Sequence, residues 1–485
     1  MSTNKIRFGR DVLISAVATG LKSLRNLLLI RFISFNLSIA EYGIWEQISI
    51  GIALILPWIT FQLPSALLRF LPGINDKKRW RDDFFSVLSF ISVVTTLFSF
   101  FVWILLKALL PYSHWAPFAQ HATFIAPLIP LSAIVNTCIT LLRALRRLYL
   151  HSTITLFQYF AEFALIGALL GHGNDLTSAL LALVMVRLVI VIVVLRFAIL
   201  EFGFALPTFA HLKEYLTYSI PLIPNTISYR IFDAGDRFIL SYFVGHSAVG
   251  LYAATYSIGS FFTTIISPIN MVLLPLMAEL WNKNRQTELS VYLIQSIRFS
   301  SMISLPALAG TVYLSPQLLT LLILEIDSQT ILCFTLLGFS FLTFGIGILG
   351  GNILATAGKT RNLFVIGFFI ALLNILLNLI FVPLWEILGA AAATLISHLI
   401  YSTVVLFQSN RIVPISFPWK SVLNSTLGSI SMIGFLYFCG IYISKSLPFQ
   451  IIFGVCFYTL FMVVSGGISK RELSFFLGII RDLRD

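Results

Sequence analysis

The sequence predicts an all-α membrane protein that crosses the bilayer about fourteen times. Of its 485 residues, 58% are hydrophobic and 11% are charged, and the mean hydropathy is +0.94. A soluble chain of this size does not need that much apolar surface. The apolar runs are long and continuous, whereas a transmembrane β-barrel has short alternating segments. The first run is too long for a cleavable signal peptide and has no small-residue cleavage site, so we expect it to be the first span.

The lengths of the apolar runs define the expected spans, because about 20 helical residues cross a hydrocarbon core of about 30 Å. Very short connections, such as Gly171 to Asp175, predict antiparallel helix hairpins. The predicted spans are 11–34, 44–66, 84–109, 118–142, 152–171, 176–200, 216–244, 249–278, 292–314, 330–355, 362–383, 386–408, 421–443 and 448–468.

The basic residues are distributed unevenly between the two sides of these spans. With the N-terminus in the cytoplasm, 23 of the 32 Lys and Arg residues fall in inside segments, and only Lys107 and Lys445 fall in outside segments. This distribution predicts a cytoplasmic (inner) membrane protein with both termini in the cytoplasm. It also explains the net charge of +12 without nucleic acid as a partner. The remaining seven basic residues lie inside predicted spans and are Lys22, Arg25, Arg31, Arg187, Arg230, Arg237 and Arg298.

A weak internal repeat relates the two halves of the chain. Gly43-Ile44-Trp45 opens the second span and Gly250-Leu251-Tyr252 opens the eighth, 207 residues later. This interval is close to six spans, and an even number of spans preserves orientation, so we expect parallel repeats around a central cleft. The predicted domains are a six-helix bundle over 1–200, a linker over 201–218, a second six-helix bundle over 219–410, and two extra helices with a tail over 411–485.

The opening of the second half also carries a family resemblance. Its residues Pro221, Asp236-Arg237, Gly250-Leu251-Tyr252 and Pro275 resemble those of polysaccharide flippases in the multidrug/oligosaccharidyl-lipid/polysaccharide (MOP) exporter superfamily. The most similar group is the Wzx-type O-antigen exporters, and the helix layout is similar over nearly the whole chain. The resemblance implies a MATE-like fold and a lipid-linked glycan as substrate, such as the O-antigen repeat unit of lipopolysaccharide.

Polar residues form a stripe on the first span. On a helix, Asp11, Ser15, Thr19, Lys22, Arg25 and Asn26 fall within an arc of about 120°. Such a stripe faces a bundle interior rather than lipid, so we expect Lys22 and Arg25 to line a cavity. The alternative is that their long side chains reach an interface, which we favour only for Arg31.

The seventh span carries the second polar face. Thr226, Arg230, Asp233, Arg237 and Ser241 share one side of it, and Asp233 stands at ion-pair spacing from both arginines. One interpretation is an anion site, and the alternative is a self-neutralising charge ladder that holds helices together. Asp236 lies on a different side of this helix. We expect it either to pair with a residue on another helix or to carry a proton. The predicted substrate-binding residues are Lys22, Arg25, Arg230, Arg237 and Arg298.

Other polar residues inside spans are candidates for coupling or ion pairing. Glu162 and Arg187 lie near mid-depth on adjacent antiparallel helices and are expected to form a salt bridge. His398 is interpreted as a packing residue, with a proton relay as the alternative. The candidates for coupling or ion pairing are Asp233, Asp236, Glu162, Arg187 and His398.

No catalytic, nucleotide-binding or metal motif is present in the sequence. We therefore expect no enzyme activity, no cofactor and no metal, and we interpret the four cysteines, Cys138, Cys333, Cys439 and Cys456, as unpaired core residues. Against three intramembrane acids (Glu162, Asp233 and Asp236), the seven cations predict a cavity that binds an anion.

The predicted function is a flippase for a polyprenyl-pyrophosphate-linked oligosaccharide, working by alternating access. Its energy comes from an ion gradient, the membrane potential or the substrate gradient. Its expected partners are this glycan lipid, membrane lipid and other membrane proteins of polysaccharide assembly. The alternatives are a multidrug or small-molecule antiporter of the same superfamily and a membrane polysaccharide polymerase or ligase. The short predicted outer loops argue against the enzyme.

Overall fold

The computed structural model describes residues 28–33, 35–74, 76–109, 115–145, 147–173, 175–322 and 327–467. Within these ranges the regular elements are helices. Residues 28–33 and 35–36 are helical and belong to the first predicted span, the rest of which lies outside the described residues. The following helices are α1 (Ile39–Ile59), α2 (Leu63–Phe70), α3 (Lys77–Leu109), α4 (Ala116–Gln120), α5 (Ala122–Ala144), α6 (Leu148–Gly173), α7 (Leu176–Phe202), α8 (Leu212–Ser219), α9 (Ile223–Ala234), α10 (Asp236–Phe243), α11 (His246–Gly259), α12 (Phe261–Asn282), α13 (Gln286–Tyr313), α14 (Ser315–Leu322), α15 (Ser328–Thr356), α16 (Thr360–Asn410), α17 (Trp419–Tyr442) and α18 (Leu447–Val464).

Ten helical stretches in the described residues are long and apolar enough to cross a membrane. The count is below fourteen partly because α16 holds two predicted spans in one 51-residue element. Pro383 and the non-helical backbone of Glu386 (φ 49°) break α16 where the sequence analysis placed the boundary. The chain is therefore a multi-pass membrane protein, as predicted.

Two predicted spans are broken in ways that the apolar pattern does not show. The second predicted span is interrupted after α1, where Phe61 and Gln62 both adopt left-handed backbone (φ 50° and 53°). The seventh predicted span is divided into α8, a 3₁₀ turn (Ile220–Leu222), α9 and α10. Each of these pieces is shorter than a spanning helix. A proline stands at the start of the 3₁₀ turn and another at the start of α9, where the missing N–H of proline is tolerated.

Sharp helix starts are set by side-chain caps. Ser38 and Glu41 form a capping box at the start of α1, in which the Ser38 hydroxyl accepts from the Glu41 N–H. Asp175 caps α7 through Ser178, and Asp327 caps α15 through Thr330. Hydrogen bonds from those capped residues lower the pKa of both aspartates, so the caps stay ionised and accepting near neutral pH.

The described residues form two compact units. One comprises those of Met1–Ser257 with Gly367–Ala390, and the other those of Ile258–Ile366 with Ala391–Asp485. The core of the first unit is built from α2, α3, α5 and α7, with Leu67, Ile91 and Leu141 fully buried. In the second unit the hairpin of α17 and α18 packs on α13.

That hairpin is anchored through a small cluster of Met302, Met432, Leu436, Tyr458 and Met462. The Tyr458 hydroxyl donates to the Met302 carbonyl oxygen at 2.9 Å. The cysteine prediction is correct for Cys138, Cys333 and Cys439, which are buried and form no disulfide. It is wrong for the burial of Cys456, which is exposed on α18. In a membrane this face of α18 meets lipid, which an apolar thiol tolerates as well as a core does.

The segment between α7 and α9 is fastened to the start of α3. Asp83 of α3 is 4% exposed and accepts from the Nδ1–H of His211 and the hydroxyl of Tyr215, both at 2.8 Å. Burial raises the pKa of Tyr215, which keeps its hydroxyl protonated and donating. The Ser86 hydroxyl oxygen accepts from the backbone N–H groups of Thr208 and Phe209 at 3.0 and 3.2 Å.

The orientation of the last hairpin can be tested directly. A reporter fused after Ser446, which caps α18, should report the periplasm, and one fused after Arg471 should report the cytoplasm. The reason is that α18, a predominantly apolar helix of 18 residues, lies between them. Fluorescence and alkaline-phosphatase fusions measure the two sides. The same side for both positions would contradict the predicted appended hairpin.

Candidate functional site

A polar cavity of about 310 Å³ lies among the helices of the first unit. Charged side chains from three helices line it: Glu46 of α1, Glu162 of α6 and Arg187 of α7. Tyr42 donates its hydroxyl to Glu46 at 3.1 Å. Carboxylates and a guanidinium in a membrane-spanning bundle are costly unless a cavity, water or a partner stabilises them, so this wall is a candidate functional region.

Arg187 is held from both sides. Its Nε lies 3.8 Å from Oε1 of Glu162, which also accepts from Gln158 at 3.1 Å. Its Nη1 donates to the hydroxyl of Ser132 on α5. The structure thus contains the salt bridge expected between Glu162 and Arg187, and the charges of the pair offset each other in the cavity wall.

Asp236 and Arg237 form a second, more deeply buried group at the start of α10. Their exposed fractions are 3% and 5%. Nη1 of Arg237 lies 3.4 Å from Oδ1 of Asp236, and Oδ2 of Asp236 accepts from the hydroxyl of Tyr252 on α11 at 2.6 Å. The Arg237 guanidinium also lies 4.1 Å over the ring of Tyr256. Arg237 is therefore engaged by a carboxylate and an aromatic face.

The side-chain contacts do not show the alternative arrangement, an ion-pair ladder from Arg230 through Asp233 to Arg237. The hydroxyl of Tyr256 lies 3.0 Å from the Asp233 carboxylate, and Arg237 reaches only the Asp233 carbonyl oxygen, at 3.1 Å. Arg230 is exposed and makes no hydrogen bond or ion pair within the described part of the chain. The pairing differs because α11 supplies Tyr256, a partner that residue spacing along one helix does not include.

The remaining candidates are dispersed. Lys22 and Arg25 lie outside the described residues. In the second unit, Arg298 donates to the Gly467 carbonyl oxygen at 2.8 Å. His398 is 3% exposed, lies 2.5 Å from the Ser340 hydroxyl through Nδ1, and stacks on Phe344 with ring centroids 4.4 Å apart. These contacts are those of a packing histidine.

Glu46 is the functional candidate that sequence reasoning missed. It lies inside the second predicted span, yet only three acids were counted within spans. With it, the described walls of the first unit hold four carboxylates, Glu46, Glu162, Asp233 and Asp236, against the engaged guanidiniums of Arg187 and Arg237. Among the described candidates in this unit, Arg230 is the cation that stays exposed and unengaged.

Comparison with known proteins assigns the chain to a family. The family model described as polysaccharide biosynthesis protein matches residues 8–281, more than half of the chain. The chain belongs to this family. A second model, described as MatE, matches residues 221–380.

Solved structures show the fold of this polysaccharide biosynthesis family member. The lipid II flippase MurJ in an inward closed conformation superposes with a TM-score of 0.77 at 15% identity, covering 93% of this chain and 98% of MurJ. An inward-facing multidrug resistance MATE transporter of the MOP superfamily gives a TM-score of 0.62 at 15% identity, covering 81% and 94%. The predicted MOP-superfamily resemblance and MATE-like, all-α fold are confirmed.

Similar sequences come from archaea. An uncharacterized membrane protein of Methanocaldococcus jannaschii is 23% identical over 82% of this chain and 83% of its own length. A probable low-salt glycan biosynthesis flippase, Agl15 of Haloferax volcanii, is 23% identical over 52% of this chain and 54% of its own length. This family member is therefore similar to proteins of glycan export as well as to multidrug transporters.

Proposed function

We propose that the protein moves a polyprenyl-pyrophosphate-linked oligosaccharide, such as an O-antigen or related surface-polysaccharide repeat unit, across the cytoplasmic membrane by alternating access. The observation that carries the proposal is the match to the polysaccharide biosynthesis family together with a MurJ-like fold over 93% of the chain. The similar archaeal proteins described as probable glycan flippases support it.

The pyrophosphate is the part of this substrate that the protein must bind inside the membrane. Arginine holds phosphate oxygens through paired, charge-assisted hydrogen bonds. Arg230 has an exposed guanidinium without a competing carboxylate in the described residues, so it is the best placed of the described candidates. We assign the pyrophosphate to Arg230 with Lys22 and Arg25, whereas Arg237 and Arg298 are occupied by contacts within the protein.

Ion coupling is the second part of the proposal. The sequence carries no nucleotide-binding motif, so we propose that an ion gradient drives net export, with the membrane potential and the substrate gradient as the alternatives. The coupling candidates that share one region are Glu46, Glu162 and Arg187 around the polar cavity, with Asp233 and Asp236 on the adjoining helices. His398, packed against Phe344, is left out of the coupling set.

A multidrug antiporter is the alternative that one observation favours. The polar cavity of the first unit is lined by two carboxylates, Glu46 and Glu162, and one guanidinium, that of Arg187, and an excess of negative charge attracts a cationic compound. The MATE-like fold is common to both functions. The family match to polysaccharide biosynthesis proteins favours the glycan.

Reconstitution tests the proposal. The purified protein is placed in liposomes that contain a fluorescent polyprenyl-pyrophosphate oligosaccharide, and a membrane-impermeant quencher measures the fraction in the outer leaflet. We expect the quenchable fraction to change with time only in vesicles that contain the protein. A fluorescent cation loaded into parallel vesicles is the comparison. Transport of the cation without movement of the glycan lipid would overturn the proposal and favour the antiporter.

A further inference from the structure

Two polar side chains of α9, those of Tyr229 and Asn225, stand beside Arg230. Both are exposed, Tyr229 by 56%, and they lie one helical turn apart. Within the described residues, neither side chain makes a hydrogen bond. The charges of Asp233 and Arg230 both act on the Tyr229 hydroxyl, so these side chains share one neighbourhood. Tyr229 and Asn225 are therefore available to a ligand that reaches Arg230.

The polar residues of α9 form one continuous surface. On a helix, Asn225, Tyr229, Asp233, Thr226 and Arg230 fall within an arc of about 140°. The sequence analysis noted only one side of this arc, because tyrosine and asparagine carry no charge. We call these five residues the polar arc of α9.

The depth of the polar arc argues against lipid and against the membrane interface as its surroundings. Tyr229 and Arg230 lie near the middle of the predicted span 216–244. Tyrosines that anchor a protein at the interface lie near the ends of spans. An exposed guanidinium at mid-depth is costly unless it faces a water-filled interior. Tyr229, the residue next to Arg230, is therefore expected to face the same interior.

A break in α1 fixes the direction in which the polar arc faces. Gln62 has left-handed backbone (φ 53°), and its Nε2 donates to Oγ1 of Thr226 at 2.5 Å. Such backbone costs free energy in a non-glycine residue and is often found at ligand sites. Thr226 lies one turn before Arg230, so this bond holds α9 against rotation about its own axis.

The groups next to Arg230 suit a sugar. An aromatic ring packs against the C–H face of a sugar ring, and an amide both donates to and accepts from sugar hydroxyls. Asn225 lies about 7.5 Å from Arg230 along the helix axis, at about 1.5 Å per residue. That separation is comparable to the length of one sugar with its linkage. A phosphate on Arg230 would thus place the adjoining sugar within reach of Tyr229 and Asn225.

We infer that Tyr229 and Asn225 bind the sugar attached to the pyrophosphate, and that they select lipids by this first sugar of the glycan. The inference rests on the proposed function, in which Arg230 binds the pyrophosphate. The competing explanation is that Tyr229 faces acyl chains and contributes nothing to recognition.

The affinities for two lipids test the inference. The purified protein is titrated with the polyprenyl-pyrophosphate oligosaccharide and with polyprenyl pyrophosphate that carries no sugar. We expect the unmodified protein to bind the glycan lipid about tenfold more tightly, because a ring contact and hydrogen bonds to hydroxyls are added. Tyr229→Ala and Asn225→Ala should each remove most of this preference without weakening the binding of the sugar-free lipid. An unchanged preference in both variants, or none in the unmodified protein, would overturn the inference.

Further variants separate sugar contact from a general effect of truncation. Tyr229→Phe keeps the ring and should keep most of the preference, whereas Tyr229→Leu should lose it. Tyr242→Ala is the matched control, because it removes a tyrosine that is 66% exposed on α10. Its preference should equal that of the unmodified protein. Equal losses in Tyr242→Ala and Tyr229→Ala would remove the support for a sugar site.

A last measurement needs no substrate. In a background without the four cysteines, Tyr229→Cys should react with a membrane-impermeant thiol reagent added on both sides, because the polar arc faces water. Leu188→Cys on α7 should not react, since this 47% exposed leucine lies in an apolar span and faces lipid. No reaction at Tyr229→Cys would overturn the inference whatever the substrate is. If Tyr229→Cys reacts while the unmodified protein binds neither lipid, the proposed function itself is wrong.

Discussion

Replacing Arg230 by alanine is expected to abolish flipping of the polyprenyl-pyrophosphate glycan while the protein stays folded. A hydrogen bond to a charged group contributes about 1.5–3 kcal/mol, and a guanidinium can make two to a pyrophosphate. Arg230→Lys should retain part of the activity, because the charge remains and the fork is lost. The initial flipping rate in liposomes measures both. Arg361→Ala, which removes an exposed arginine at the start of α16, is the matched control and should flip at the normal rate.

The double variant Arg230→Ala, Asp233→Ala distinguishes a binding role from a charge ladder. If Arg230 only neutralised Asp233, removing both charges would restore function. The structure gives Asp233 a hydrogen bond from Tyr256 instead, so we expect the double variant to stay inactive. Recovery at normal protein levels would remove Arg230 from the anion site and leave Lys22 and Arg25 as its core.

Arg237→Ala is expected to act on stability rather than on substrate binding. It leaves the carboxylate of Asp236, 3% exposed, without its cationic partner. Removing one member of a buried pair costs about 3–5 kcal/mol. The loss of the cation–π contact with Tyr256 adds to this. Thermal unfolding in detergent should therefore show a large drop in Tm for Arg237→Ala and a small one for Arg230→Ala, whose side chain is exposed.

A double variant that removes both charges of the buried pair is expected to recover stability. Arg237→Met with Asp236→Asn removes both charges, fills the space and keeps an acceptor for Tyr252. Its Tm should lie closer to that of the unmodified protein than that of Arg237→Ala does. If Arg237→Ala unfolds at the same temperature as Arg230→Ala, the buried pair contributes little and the assignment of Arg237 to the interior of the fold is wrong.

The sequence predicts the spanning helices well because the bilayer imposes their length and composition. The boundary inside α16 is an example, since Pro383 breaks the helix by a local rule. The left-handed residues Phe61 and Gln62 have no such signal in the apolar pattern. They depend on neighbours that the chain meets only after folding.

The candidate site is harder to predict from the sequence than the spanning helices, because its contacts also depend on residues that come together only after folding. Spacing on one helix predicted that Asp233 would pair with Arg230, but the tyrosine that holds Asp233 comes from another helix, 23 residues later. A full count of charges within the predicted spans would have included Glu46, but its position facing Glu162 and Arg187 across a cavity is visible only in the fold. A count of intramembrane charges can reveal that a polar interior exists. Which charges remain available to a ligand depends on partners supplied by other helices.

The fastening of the linker to α3 has a mechanical consequence. Asp83 and Ser86 hold His211, Tyr215 and the backbone before them, and the chain then continues without slack through α8 and a single 3₁₀ turn into α9. We therefore expect this connection to be stiff, so that a displacement of the start of α3 would reach α8 and α9 directly instead of being absorbed by a flexible linker.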